Sequence, residues 1–292
     1  MYINPLFSGS SGNCTLIGAD GGLFMVDAGK SARAVSAALA LAGERIDDIA
    51  AIFITHEHTD HIAGVGVLCR RYGIPVYANA GTWQAMEPLI GEVPPKCIRV
   101  FESGRDFFIG GVSVLPFCIP HDAAEPVGYS FFGDDGKKIT VMTDIGHMDS
   151  RLISCAAGSD ILLIESNHDE ELVSSCRYPY PTKRRILSDV GHLSNAGCGR
   201  ALCGLYSSGV RRAILGHLSR DNNFESLALE TVRSELLNQD IPESEFALAV
   251  AHRDRMTGRF DVYGKAYMRR QAEGKILWRC LRRIQKAHIP LC

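Results

Sequence analysis

The chain runs apolar without a break from Ile49 to Ile54 and then reads Thr55-His56-Glu57-His58-Thr59-Asp60-His61. Three imidazoles and a carboxylate within six residues are costly to bury uncharged, and the imidazoles repel one another when protonated. A divalent cation removes both problems, and imidazole with carboxylate suits Zn²⁺, Mn²⁺ or Fe²⁺. Alternation through an extended turn points His56 and His58 at one ion. Asp60 and His61 fall where the next helix begins and so face a second. A polar loop with chance histidines is the rival account, and the density of metal-competent groups weighs against it.

The same arrangement recurs along the chain. Asp27 follows the apolar run Leu23–Val26, His121 follows Val112–Ile119, and Asp144 follows Lys138–Met142. Glu165 follows Ile161–Ile164, His217 follows Ala213–Leu215, and His252 closely follows Phe246–Val250. A lone histidine after a strand is more often structural. Ligands on short loops at one edge of a sheet form a single cleft, and together these residues make a site. Glu165 either supports the metal shell or is simply polar at a strand end.

Further strands are expected at Cys14–Ile17, Pro75–Tyr77 and Val127–Phe132, with Asp20-Gly21-Gly22 and Asp134-Asp135-Gly136 as hairpin turns. Several runs are apolar throughout, as strands covered on both faces are. Helical spacing is expected over Ser31–Ala42, capped by Ser31 and ended by Gly43. It is also expected over Ile62–Tyr72, Thr82–Ile90, Asp169–Cys176, Thr182–Asp189, Asn195–Tyr206 and Asn222–Asn238. Hairpins mixed with strand–helix units predict an α/β sandwich of mixed sheets covered by helices.

At 292 residues the chain can bury one large core or two modest ones. Its net charge of −2 announces no polyanionic or membrane partner. That average hides an asymmetry. From Lys265 to Cys292, eight Lys and Arg face one acid, Glu273, for +7, which leaves about −9 on the rest. We therefore expect a body over 1–264 and a basic, helical tail over 265–292. The tail's apolar stripe (Leu277, Trp278, Leu281, Ile284) suits either nucleic-acid contact or packing, and Trp278 reads as a packing anchor. No apolar run reaches the ~20 residues that span a bilayer. The start lacks the pattern of a secretory signal. Ten cysteines without a Cys-x-x-Cys pair read as reduced thiols, and the expected location is cytoplasmic.

The H-x-H-x-D-H run, the upstream Asp27-Ala28-Gly29, His121, Thr143-Asp144 and Gly216-His217 resemble the metallo-β-lactamase superfamily. That resemblance implies an αββα sandwich, two mixed β-sheets flanked by helices. It implies that His56, His58 and His121 bind one metal, and that Asp60, His61 and His217 bind another. It further implies that Asp144 bridges the two and that Asp27 orients ligands by hydrogen bonds. Aspartate at the bridging position, where many β-lactamases carry cysteine, agrees with the glyoxalase II-like and nuclease-like branches.

Ser8-Gly9-Ser10-Ser11-Gly12-Asn13-Cys14, Glu165-Ser166-Asn167-His168-Asp169, Tyr178-Pro179-Tyr180-Pro181, Gly191-His192-Leu193-Ser194-Asn195 and Gly216-His217-Leu218-Ser219-Arg220-Asp221-Asn222-Asn223 are similar to the YycJ (WalJ)-type family. The likeness implies a DNA substrate and double-stranded DNA 5′ exonuclease activity, with Zn²⁺ or Mn²⁺ as the metal pair. On this reading, water activated between the ions attacks phosphorus, and Asp60 accepts or orients its proton. His192 assists the leaving group or, more plainly, sits in a loop before a helix. Ser11 and Asn13, in a loop whose N–H groups can form an anion nest, are candidates for substrate contact. Ser194 and Asn195 are further candidates. Lys183, Arg184 and Arg185 either line a phosphate groove or form a solvated helix face. His147, His168 and His252 remain unassigned. A thioesterase or lactonase on the same metals is the rival enzyme. A non-catalytic nucleic-acid-binding module is disfavoured, because every expected ligand type is present in order.

Overall fold

The structure, a computed structural model, describes residues 1–19 and 21–262. The chain divides into Met1–Phe260 and Asp261–Cys292. The expected basic helix and its apolar stripe lie outside the described residues, as does Asp20.

The first half of the chain lays down β1 (Tyr2–Phe7), β2 (Cys14–Ala19), β3 (Gly22–Val26), β4 (Ile49–Phe53), β5 (Val76–Asn79) and β6 (Ile98–Phe101). The second half adds β7 (Phe107–Ile109), β8 (Val112–Cys118), β9 (Val127–Phe132), β10 (Lys138–Met142), β11 (Ile161–Glu165), β12 (Arg212–Gly216) and β13 (Ala247–Val250). A short β14 (Phe260–Asp261) adds to β1, so the two sheets run β14-β1-β2-β3-β4-β5-β6 and β13-β12-β11-β10-β9-β8-β7. Each is mixed in the same way, beginning with antiparallel hairpins and ending with three parallel pairings.

The helices are α1 (Ala32–Leu41), α2 (Thr59–Ile62), α3 (Val65–Tyr72), α4 (Ala80–Ile90), α5 (Ser150–Ala156), α6 (Glu170–Ser175), α7 (Tyr180–Ile186), α8 (Asn195–Ser207) and α9 (Glu225–Leu237). Alternate strand residues face opposite layers. Met25, Ile52 and Ile54 join a core with Val35, Leu39 and Leu68 of α1 and α3. Leu162, Ile164 and Leu215 join a second core with Leu202 and Val232 of α8 and α9. Phe24 and Phe53 point the other way. Phe53 meets Tyr129 at 5.6 Å and Phe131 at 5.4 Å across the sheet interface. Burying such a ring contributes ~1.5–3 kcal/mol. This is the αββα sandwich expected from the sequence.

The elements differ from expectation in three places. β1 is not among the expected strands; its Pro5 sits where the β1–β2 register shifts, a place that tolerates it. The expected helix Ile62–Tyr72 is split after α2, because the Gly64 N–H bonds to the Ala28 carbonyl at 2.8 Å. A Cβ at Gly64 would lie 2.3 Å from the Lys30 carbonyl oxygen. The strands β6 and β7 and the helix α5 carried too short a pattern to be expected. Ser31 does cap α1, accepting the Ala34 N–H at 3.3 Å.

Candidate metal centre

All seven expected metal-binding residues meet at one edge of the sandwich, where the parallel strands end. Asp27, Asp144 and His217 each leave a strand with φ near +60° (62°, 59° and 55°). Side chains rarely adopt that conformation, so the strain is stored at the site. Hydrogen bonds hold it there, from Asp27 N–H to the Phe53 carbonyl at 2.8 Å and from His217 N–H to Ser8 Oγ at 2.9 Å. Gly29 allows a second close approach, since a Cβ there would lie 1.6 Å from the Asp60 carbonyl oxygen.

The ligand atoms form four overlapping clusters: His56, His58 and His121; Asp60, His61 and His217; His56, His61 and Asp144; and Asp144, Glu165, His192 and His217. His56 Nε2 and His121 Nε2 stand 3.0 and 3.3 Å from His58 Nδ1. Asp60 Oδ2 stands 3.6 Å from His61 Nε2 and 3.7 Å from His217 Nε2. Asp144 lies between the first two. Its Oδ2 is 3.4 Å from His61 Nε2, and its Oδ1 is 3.8 Å from His121 Nε2 and 3.4 Å from His217 Nδ1. Asp144 Oδ2 and His217 Nε2 are buried and have no hydrogen-bond partner. Orphaned atoms of this kind cost ~1–3 kcal/mol each unless something else coordinates them. The donor set and its orphans fit divalent cations.

The remaining ring nitrogens are engaged, which aims the others inward. His61 Nδ1 bonds Asp27 Oδ2 at 2.7 Å, His217 Nδ1 bonds Glu165 Oε1 at 2.8 Å, and His121 Nδ1 bonds the Gly191 carbonyl at 3.1 Å. Thr55, the first residue of the histidine run, was not singled out from sequence. Its hydroxyl reaches Asp27 Oδ2 at 2.9 Å and His56 Nδ1 at 3.0 Å. Its place in the run was the available signal. Replacing Asp27 with Ala is expected to weaken metal affinity ~10–100-fold, read by competition with a chelator.

Glu165 is fully buried and does more than support one ligand. Its Oε1 also bonds His192 Nδ1 at 2.9 Å, and its Oε2 accepts the N–H groups of Ile145 (2.7 Å) and Leu193 (3.1 Å). Burial pushes its carboxyl up, but His192 and His217 hold it well below the usual range. Burial pushes the His192 imidazole down, and the Glu165 charge more than reverses this. Asp60 and His192 have side chains 25% and 16% exposed, against 0–3% for His61, His121, Asp144, His217 and Glu165, so they form the open rim. Beside His192 lies a groove of about 720 Å³ whose walls include His147, His168, Ser194 and Arg200.

Burial lowers the His61 pKa, but Asp27, Asp144 and Asp60 raise it to about 9. A raised imidazole pKa stabilises the metal-free fold through a bound proton, fully below the unfolded value and lost as pH rises through about 9. A cation must expel that proton. Metal affinity is therefore expected to rise about tenfold per pH unit between pH 7 and 9 for this proton alone. Calorimetry in two buffers of different ionisation enthalpy reads the release, and a flat profile contradicts it.

The other expected residues are placed as follows. Asn13 Nδ2 lies 3.0 Å from His61 Nε2 and 3.4 Å from Asp60 Oδ2, inside the site. Ser11 is at the mouth, bonded to Asp254. Ser194 caps α8 and donates to Glu170 at 2.7 Å. Asn195 is a correction. It is buried, and its amide is engaged by Ser166 and Asn223 (2.6 and 2.9 Å), so it does not face a substrate. Lys183 donates to the Ser174 carbonyl at 2.7 Å, and Arg185 grips Asp122 with two nitrogens, while Arg184 is exposed. His252 is also a correction. It pairs with Glu225 at 2.7 Å beyond β13, the sheet's edge strand, and belongs to none of the ligand groups.

Among the described residues all eight cysteines are free, and no helix is long and apolar enough to cross a membrane.

Residues 23–218 match the family model of the Beta-lactamase superfamily domain. The chain is 41% identical over 236 residues to the Exodeoxyribonuclease YycJ of Bacillus anthracis, covering 81% of this chain and 89% of that one. It is 40% identical over 238 residues to the Exodeoxyribonuclease WalJ of Streptococcus pneumoniae serotype 2, covering 81% and 88%. The metallo-β-lactamase fold protein YhfI of Bacillus subtilis superposes with a TM-score of 0.63 at 14% identity, covering 87% of this chain and 98% of that one. The fold implies divalent metal ions, and the histidine–aspartate clusters could hold them. The chain is a metal-dependent hydrolase of the metallo-β-lactamase superfamily and belongs, within it, to the YycJ/WalJ family.

Proposed function

We propose that the chain is a two-metal phosphodiesterase that degrades double-stranded DNA from its 5′ end. The observation that carries the reading is Asp144, a buried carboxylate whose two oxygens face two separate ligand groups. His56, His58 and His121 would hold one ion, Asp60, His61 and His217 the other, with Asp144 common to both. Imidazole and carboxylate donors without thiolate suit Zn²⁺ or Mn²⁺, and also Fe²⁺. Bound cations of this kind supply Lewis acidity and make water a nucleophile near neutral pH. At the rim, the Asp60 carboxylate orients the attacking water and receives its proton. His192, with Nδ1 held by Glu165, presents Nε2 to the leaving oxygen and delivers a proton there. The groove beside it gives the departing strand room. The names of the relatives at 40–41% identity support DNA as the substrate. Free thiols support a cytoplasmic location.

The test is cleavage of 5′-phosphorylated double-stranded DNA by metal-stripped protein resupplied with Zn²⁺ or Mn²⁺. A thioester and a β-lactam run beside it. Metal-dependent shortening from the 5′ end is expected. Thioester or lactam turnover with intact DNA would overturn the substrate and leave the centre standing.

A further inference from the structure

Sequence reasoning placed the substrate-binding cations at Lys183–Arg185, but two of those three are engaged elsewhere. A different set of cations gathers on the opposite side of the cleft. Lys30 follows β3, Arg220 follows β12 three residues past His217, and Arg253 follows β13. All three leave the strand edge that carries the expected metal ligands; Lys30 and Arg253 reach the Ser8–Asn13 loop, and Arg220 reaches Asp254 beside it. Lys30 Nζ donates to Ser11 Oγ at 3.1 Å, and Arg253 packs against Gly9 while donating to the Ser219 carbonyl at 2.7 Å.

One carboxylate, Asp254, gathers the outer cations. Its Oδ1 lies 3.3 Å from Lys30 Nζ and 2.9 Å from Ser11 Oγ, and its Oδ2 lies 3.7 Å from Arg220. Two cations thus share one carboxylate, while Asp221, the neighbouring acid, is turned to the Tyr178 hydroxyl and Glu225 to His252. The cluster is open to solvent, with Arg220 61% and Asp254 55% exposed. It also adjoins the reaction site. The Asn13 N–H bonds the Asp60 carbonyl at 2.7 Å, and the Asn13 carbonyl accepts the Gly29 N–H, next to Lys30, at 2.7 Å.

We propose that Lys30 and Arg220, steadied by Asp254, bind the phosphate backbone of the nucleic acid just beyond the scissile group, on the Asp60–His217 side of the cleft. The inference rests on the phosphodiesterase reading above and adds to it the path of the substrate strand. The Asp254 pairs are exposed and weakly held, so a phosphate can replace the carboxylate at either cation. Arg220 offers a planar fork, and Lys30 offers a compact charge held in place by Ser11. Arg253 is spent on backbone carbonyls and holds the loop in place.

A surface fastener for residues 252–255 is the competing account, and the two differ in what they move. Full-length, metal-loaded protein is titrated with a fluorescent 5′-phosphorylated duplex over a range of salt. The double variant Lys30→Ala/Arg220→Ala is expected to reduce the slope of log affinity against log salt by about 2, one per cation removed, with metal content unchanged. Asp254→Asn is expected to bind the duplex as tightly as the parent or more tightly. An unchanged slope in the double variant while the parent cleaves DNA would overturn the backbone site alone. So would weaker duplex binding in Asp254→Asn accompanied by a lowered melting temperature. Failure of the parent itself to bind or cleave DNA would overturn the phosphodiesterase reading and the backbone site together.

Discussion

Replacing Asp144 with Ala is expected to abolish hydrolysis and to lower the metal content to at most one ion per chain. The expected loss exceeds the ~10–100-fold that removing an outer hydrogen-bond partner costs, because this carboxylate belongs to two of the four ligand clusters. Its Oδ2 lies 3.4 Å from His61 Nε2 and its Oδ1 3.8 Å from His121 Nε2. Without it, His61 and His217 lose one of the anions that raise their pKa values, beside Asp27 for His61 and Glu165 for His217, and the second ion would lose a ligand. Metal analysis by mass spectrometry after dialysis, with initial rates on the same preparation, checks both parts. Two ions retained at parental rates would end the assignment of Asp144.

The second large effect is at His192. Its removal is expected to slow DNA cleavage ~10²–10⁴-fold, the usual worth of general acid work, with both ions retained. The discriminating readout is the leaving group. A p-nitrophenyl phosphodiester departs as a stable phenolate and needs no proton, so His192→Ala is expected to lose far less rate on it. Equal losses on both substrates would make His192 a structural support for Glu165. The geometry sets this expectation, since Glu165 holds Nδ1 at 2.9 Å and leaves Nε2 as the working atom.

Much of the fold and most of the cleft were legible because their signals are local. Leu23–Val26, Ile49–Ile54 and Ile161–Ile164 are short, apolar and followed within two residues by a metal-competent residue, and all three are strands in the parallel part of a sheet. The histidine run concentrates four of the seven expected metal ligands within six positions. The contacts that were not legible join distant segments. Ser11 meets Asp254 across 243 positions, and nothing in the spacing of either announces it. The dual role of Glu165 depends on His192 and His217 arriving from opposite sides, 27 and 52 residues away. Asn195 illustrates the reverse case, in which a residue inside a striking motif proved to be interior. His252 followed a strand like the others, but its ring pairs with Glu225 and joins none of the ligand clusters.

Apart from the short β14, the two sheets are also the two halves of the chain, and this has a consequence for how the molecule is held together. His56 and His58 come from the first half and His121 from the second. Asp60 and His61 come from the first half and His217 from the second. Each ion would therefore tie one half to the other at the rim where the strands end, adding to a seam already joined by packed rings such as Phe53 on Tyr129 and by hydrogen bonds such as that from the His217 N–H to Ser8 Oγ. In this view the centre is a pair of rivets as well as a reagent. The supply of divalent cations would then govern how firmly the sandwich stays shut, in addition to how fast it works.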